Sequence, residues 1–96
     1  MGLRQKHINY MVVASERDTR GITIQATYLH HFLELRYAQR ETNIGFLWFG
    51  QVKVDAKPLW RSPDAFGCDT KEILDSEIQH QLTSWAVRLG YISFGP

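Results

Sequence analysis

The chain has 96 residues and a mass of 11.2 kDa, 44% hydrophobic and 22% charged, a globular composition that excludes disorder and suits one small domain over 1–96 with one core. No apolar run approaches the roughly 20 residues of a membrane-spanning helix, no basic stretch leads into an apolar one at the start, and a single cysteine forms no internal disulfide, so a cytoplasmic location without membrane contact is expected. The net charge of +1 gives no overall field toward nucleic acid, but it sums a basic part, residues 1–61 with nine Lys/Arg against five Asp/Glu, and an acidic part, residues 62–96 with two against five.

His7 to Ala14 reads as a first strand, with Ile8, Tyr10, Val12 and Ala14 on one face at period two. Ser15 to Gly21 is a polar stretch ending in glycine, a hairpin connection. Gly21 to Thr27 follows as an alternating strand, antiparallel to the first. Tyr28 to Arg40 fits two patterns. As a helix it gathers Leu29, Phe32, Leu33 and Arg36 on one face, with Thr27 to cap it and Asn43 to end it. As a strand it alternates Leu33, Leu35 and Tyr37 with Glu34, Arg36 and Ala38. Composition and length favour the helix.

Ile44 to Val54 is the clearest strand. Its first half is apolar on both faces and its second half alternates, as in a strand covered first on two sides and then on one. Gly45 and Gly50 mark a bulge or the close approach of another backbone. Ala56 to Gly67, with Pro58 and Pro63, reads as a loop. A helix follows over about 69–89. Asp69 or Thr70 caps it, and Asp69 with Glu72 has the spacing of a capping box. Leu74, Ile78, Leu82, Trp85 and Leu89 form its apolar stripe, acids fill its first turns, and Arg88 lies in its last. Gly90 is placed to stop it. Tyr91 to Phe94 reads as a short final strand.

The fold class is therefore α+β: an antiparallel sheet of three to four strands, the C-terminal helix packed on one face, and a second helix at about 28–40. One helix covers one face, whereas Phe46 to Phe49 is apolar on both. Either the second helix shields the other face or a second subunit does, and a homodimer is expected on that ground.

Few residues announce chemistry. His30 and His31 precede Glu34, and His30 and Glu34 share a face in either reading, but two ligands do not hold a zinc ion. The pair is better suited to a pH-sensitive contact. Cys68 precedes the C-terminal helix, whose N-terminus favours a thiolate, although Asp64 and Asp69 oppose it. Arg36, Tyr37, Arg40, Trp48, Lys53, Lys57, Trp60 and Arg61 mix bases with aromatics, as sheets that hold single-stranded nucleic acid do. Leu59 and Trp60 lie between prolines, where a tryptophan either caps the core or anchors a partner. Common nucleotide-binding and hydrolase motifs are absent.

The leading expectation is a non-enzymatic binding protein. It would contact a protein or a small ligand through an exposed sheet face or the Trp60 loop, with Leu59, Trp60, Arg61, Arg36, Arg40, Trp48, His30 and His31 as candidate contacts. The first alternative is a single-stranded nucleic-acid-binding module using Arg36, Arg40, Lys53 and Arg61. The second is a small enzyme using Cys68 or the His30/His31 pair. No cofactor and no metal are expected.

Overall fold

Alternation at period two builds most of this molecule. The computed structural model describes residues 8–93. Five strands run in chain order: β1 (Met11–Arg17), β2 (Gly21–Tyr28), β3 (His31–Thr42), β4 (Gly45–Val54) and β5 (Lys57–Arg61). One helix follows, α1 (Lys71–Arg88). The strands form one antiparallel sheet in the order β1-β2-β3-β4-β5. The class is α+β, with five strands rather than three to four.

The largest correction concerns residues 28–40. They form the end of β2, a two-residue turn and most of β3, not a second helix. The strand alternation wins because Leu33, Leu35 and Tyr37 pair with Ala26, Ile24 and Ile22 on one side and with Val54, Val52 and Gly50 on the other. That row is one apolar surface, and burying it outweighs the modest helix preference of the local composition.

α1 covers this surface, called here the helix face. Leu74, Ile78 and Leu82 are fully buried and join Leu33, Leu35, Tyr37 and Val52 in a single core. Each such side chain contributes about 1.5–3 kcal/mol of burial. Gly50 sets how closely the helix docks: a Cβ there would stand 2.8 Å from Leu74 Cδ1 and 3.1 Å from the Arg36 carbonyl oxygen. The Tyr37 hydroxyl donates to Asp75 Oδ1 at 2.6 Å and fastens the helix to the middle of the sheet. Burial, and then Asp75, push the Tyr37 phenol well above its ordinary value, so it remains a donor.

Thr70 caps α1, its hydroxyl accepting from the Ile73 amide at 3.2 Å. Asp69 is therefore not the cap, and the box with Glu72 does not form. Gly90 stops the helix at φ +79°. Tyr91 to Ser93 form no strand; His7 and Phe94 to Pro96 lie outside the described residues.

β1 departs from its expected phase. Its register slips between Val12 and Ala14, so Val12 pairs with Ala26 while Ala14 pairs with Gln25. This bulge turns Ala14 to the opposite face and breaks the row read from Ile8 to Ala14. Strand pairing also continues through Arg17, leaving only Asp18 to Arg20 as the turn.

Residues 57–61 are not loop but β5, an edge strand with its own register slip opposite Val52 and Lys53. Pro58 is tolerated there because an edge leaves one row of amides unpaired. Beyond β5, residues 62–68 fold back along β4. Trp48 and Cys68 exchange two backbone hydrogen bonds of 2.8 Å. Gly67 then lies on Leu47 and Phe49, where a Cβ would stand within 2.9 Å of both side chains. The apolar residues on the second face of β4 are thus covered by the chain's own return.

Candidate functional site

Among the described residues, the face of the sheet opposite α1 carries no helix. On β3 it presents Phe32, Glu34, Arg36, Ala38 and Arg40, and on β4 Leu47, Phe49, Gln51 and Lys53. β2 adds Thr23, Gln25 and Thr27, and Arg61 of β5 stands opposite Gln51. The acids of α1, Glu72, Asp75 and Glu77, belong to the other side of the sheet. The acids of α1 are thereby separated from these cations, whereas Asp64 stays on the open face.

On this open face Arg36, Arg40 and Arg61 line one cleft of about 240 Å³. Its floor is Ala38, Phe49, Gly50 and Gln51, and its wall is Ser62 and Asp64. Arg40 lies flat against the floor, its guanidinium carbon 3.8 Å from the centroid of the Phe49 ring, a cation–π contact that holds the charge in place. Among the described residues Arg40 makes no ion pair.

Arg36 is held from the β2 side, donating to Thr23 Oγ1 at 2.9 Å and pairing with Asp18 at 3.0 Å. Asp18 also accepts from the Arg20 and Gly21 amides of its own turn. These bonds, the one from Arg36 first, hold its carboxyl below the usual range. Arg61 reaches Asp64 at 3.9 Å, an exposed pair worth little. The Ser62 hydroxyl, buried, accepts from the Gly50 amide at 2.7 Å and fixes the wall to β4.

Lys53 lies further along the same face, 3.9 Å from Glu34. Phe32 stands beyond it, exposed. Sequence reasoning passed over Phe32, Gln51 and Ser62. Phe32 was hidden by the helical reading of 28–40; the strand alternation is the signal that places it with Arg36 and Arg40.

The remaining candidates lie elsewhere. Trp48, Leu59 and Trp60 are half-buried against the core on the helix side and contribute nothing to the open face. His30 and His31 are at the β2–β3 turn, their rings 4.1 Å apart among Tyr28, Trp85 and Tyr91. His31 Nδ1 lies 2.6 Å from Asp55 Oδ2 and its Nε2 lies 2.6 Å from the Tyr91 hydroxyl. The Asp55 carboxylate can only accept, so Nδ1 carries a proton and donates to it. Both ring nitrogens are thus occupied, and the group joins the β4–β5 turn to the segment after α1. Glu34 is on the open face, away from His31, and no group of three or more His, Cys, Asp or Glu is gathered for a metal ion among the described residues.

The Cys68 thiol is pushed up by burial first, then by Glu77 and Asp69. A thiol held protonated is a weak nucleophile. No helix among the described residues is long and apolar enough to cross a membrane. The chain matches no protein-family model, no curated protein and no solved structure.

Proposed function

We propose that this protein is a non-enzymatic binding module whose open sheet face receives single-stranded nucleic acid. The observation that carries this reading is the meeting of Arg36, Arg40 and Arg61 at one cleft on the face turned away from the acids of α1. Guanidinium groups suit phosphate oxygens. Along β3 the cleft is followed by Lys53 and Glu34 and then by exposed Phe32, four residues from Arg36 and so about 13 Å away. Hydroxyl and amide side chains at Thr23, Thr27, Gln25 and Gln51 lie between. A basic groove with an aromatic for base stacking and neutral polar groups beside it is how sheets hold unpaired strands without reading their sequence.

Retention on a single-stranded nucleic-acid column tests it. Binding at low salt should weaken steeply as salt rises, and Arg40→Ala/Arg61→Ala should reduce the log–log salt slope by roughly one per contact removed. An absence of retention at low salt ends this reading.

Self-association is a second reading, on a separate surface. The need inferred from Phe46 to Phe49 is largely met within the chain, since Gly67 covers Leu47 and Phe49. Edge strand β1, however, exposes Met11, Val12 and Val13 together. An uncovered apolar edge is a template for pairing with a second copy. A molar mass that stays at that of one chain in light scattering at high concentration removes it.

A further inference from the structure

We infer that the arginine cleft is a terminal site: it takes the phosphomonoester at one end of the bound strand rather than a diester from its interior. This rests on the nucleic-acid reading above and adds an end to it.

Two features of the open face lead there. The first is closure. From Phe32 the face runs open along β3 and β4 past Glu34 and Lys53 to Arg36 and Gln51. Just beyond, residues 62–68 lie against its β4 side. Ser62 is tied to Gly50, Cys68 is tied to Trp48, and Gly67 rests on Leu47 and Phe49 with no space for even a methyl group. A strand laid on this face from the Phe32 end meets that wall at the cleft and has no continuing track over Leu47.

The second feature is convergence. Internal phosphodiesters each carry one charge and are met by cations spaced along a groove. Here three guanidinium groups share one cleft of about 240 Å³. A phosphomonoester brings about −1.5 to −2 charges and three strong acceptor oxygens to one point, a load for three guanidinium groups of which Arg36 already meets Asp18 and Arg61 meets Asp64. Arg40 is fixed over Phe49 and Arg36 between Thr23 and Asp18, so two of the three are ordered before the ligand arrives. Arg61 is the more exposed of the two ion-paired members. Its 3.9 Å contact with Asp64 joins side chains that are 70% and 83% exposed, so a phosphate displaces Asp64 at little cost.

Calorimetric titration with an unlabelled oligothymidylate tests this, in three forms: 5′-phosphorylated, 3′-phosphorylated, and unphosphorylated at both ends. One of the phosphorylated forms should bind about tenfold tighter than the unphosphorylated form, the order of one added charge-assisted bidentate contact. Which form gains tells which strand end sits in the cleft. The gain should vanish in Arg61→Ala, whose exposed side chain is removed without opening the core, so that phosphorylated and unphosphorylated oligomers bind that variant equally. Arg40→Lys, which keeps the charge and the cover over Phe49, should retain part of the gain.

Equal binding of all three forms overturns the terminal site and leaves strand binding standing. Inorganic phosphate or a phosphoserine peptide binding as tightly as the best oligomer overturns it as well, since the strand would then add nothing. No binding of any oligomer at low salt removes the nucleic-acid reading, and the terminal site falls with it.

Discussion

Ala56 occupies the second position of the two-residue β4–β5 turn at φ +68°, after Asp55 at φ +51°. Two positive φ values mark the turn type whose twist suits a hairpin, usually filled by Asn-Gly or Asp-Gly. An alanine there keeps the turn but carries left-handed strain of about 1–2 kcal/mol. Glycine would relieve it and return about 0.4–1 kcal/mol in the unfolded chain. Ala56→Gly should therefore raise stability by about 0.5–1 kcal/mol, seen as a melting temperature several degrees higher; an unchanged or lower melt refutes the strain. Asp55 acts through its side chain as well. It accepts from the Phe32 amide at 2.9 Å and from His31, and these bonds hold its carboxyl below the usual range. Asp18 is lowered too, by Arg36 and its turn amides. Because both folded-state values lie below the unfolded value near 4, their stabilisation is present in full above about pH 4 and is lost as pH falls through the lower folded values. Asp18→Asn and Asp55→Asn should each melt below the parent at neutral pH, with the gap narrowing on acidification. A gap that stays constant down to pH 3 would mean that neither carboxylate contributes through its charge. Cys68 titrates the other way, its thiol held protonated. Alkylation by iodoacetamide at pH 7 should be slower than for free cysteine, and faster labelling would reopen a nucleophilic role.

Helix α1 and strands β2 and β4 were legible in the sequence because each carries its own local signal. Thr70 and Gly90 bracket the helix, and the period-two rows of β2 and β4 have no competing helical pattern. β3 was not legible, because Leu33, Glu34, Leu35, Arg36 and Ala38 are good helix formers and Leu29, Phe32, Leu33 and Arg36 fall at helical spacing. Only the neighbouring strands decide it, and pairing lies outside any local window. β5 was hidden by Pro58, which reads as a breaker unless the strand is known to be an edge. The contact between α1 and the sheet depends on two residues that can be tested. Gly50→Ala places a methyl group 2.8 Å from Leu74 Cδ1 and 3.1 Å from a backbone oxygen that cannot yield easily. It should cost about 1–3 kcal/mol in denaturant unfolding, as overpacking does. Tyr37→Phe removes the donor to Asp75 and should cost about 1.5–3 kcal/mol, the range for a bond to a charged partner. A loss under about 0.5 kcal/mol would mean that Asp75 finds water or another donor instead.

The candidate site shows the same division at the scale of the molecule. Arg36, Arg40, Lys53 and Arg61 were visible as residues, but whether they share a surface depends on β3 being a strand and on which face α1 takes. The sheet is unevenly supported around that surface. β3 and β4 each pair with a strand on both sides and, together with α1, hold the largest fully buried side chains. β1 pairs with β2 alone, and all seven of its residues are exposed. Amide exchange follows such differences, because strands with few buried contacts open locally at little cost, whereas core strands exchange only on global unfolding. At low protein concentration the β1 amides that pair with β2 should therefore exchange well before those of β3, β4 and α1. If the Met11 to Val13 edge pairs with a second copy, β1 should gain protection as concentration rises while β3 and β4 stay constant, since these two strands already have neighbours on both sides. Slow exchange in β1 that does not depend on concentration would show that the strand is integral to the folded unit, and would remove the edge as the seat of self-association.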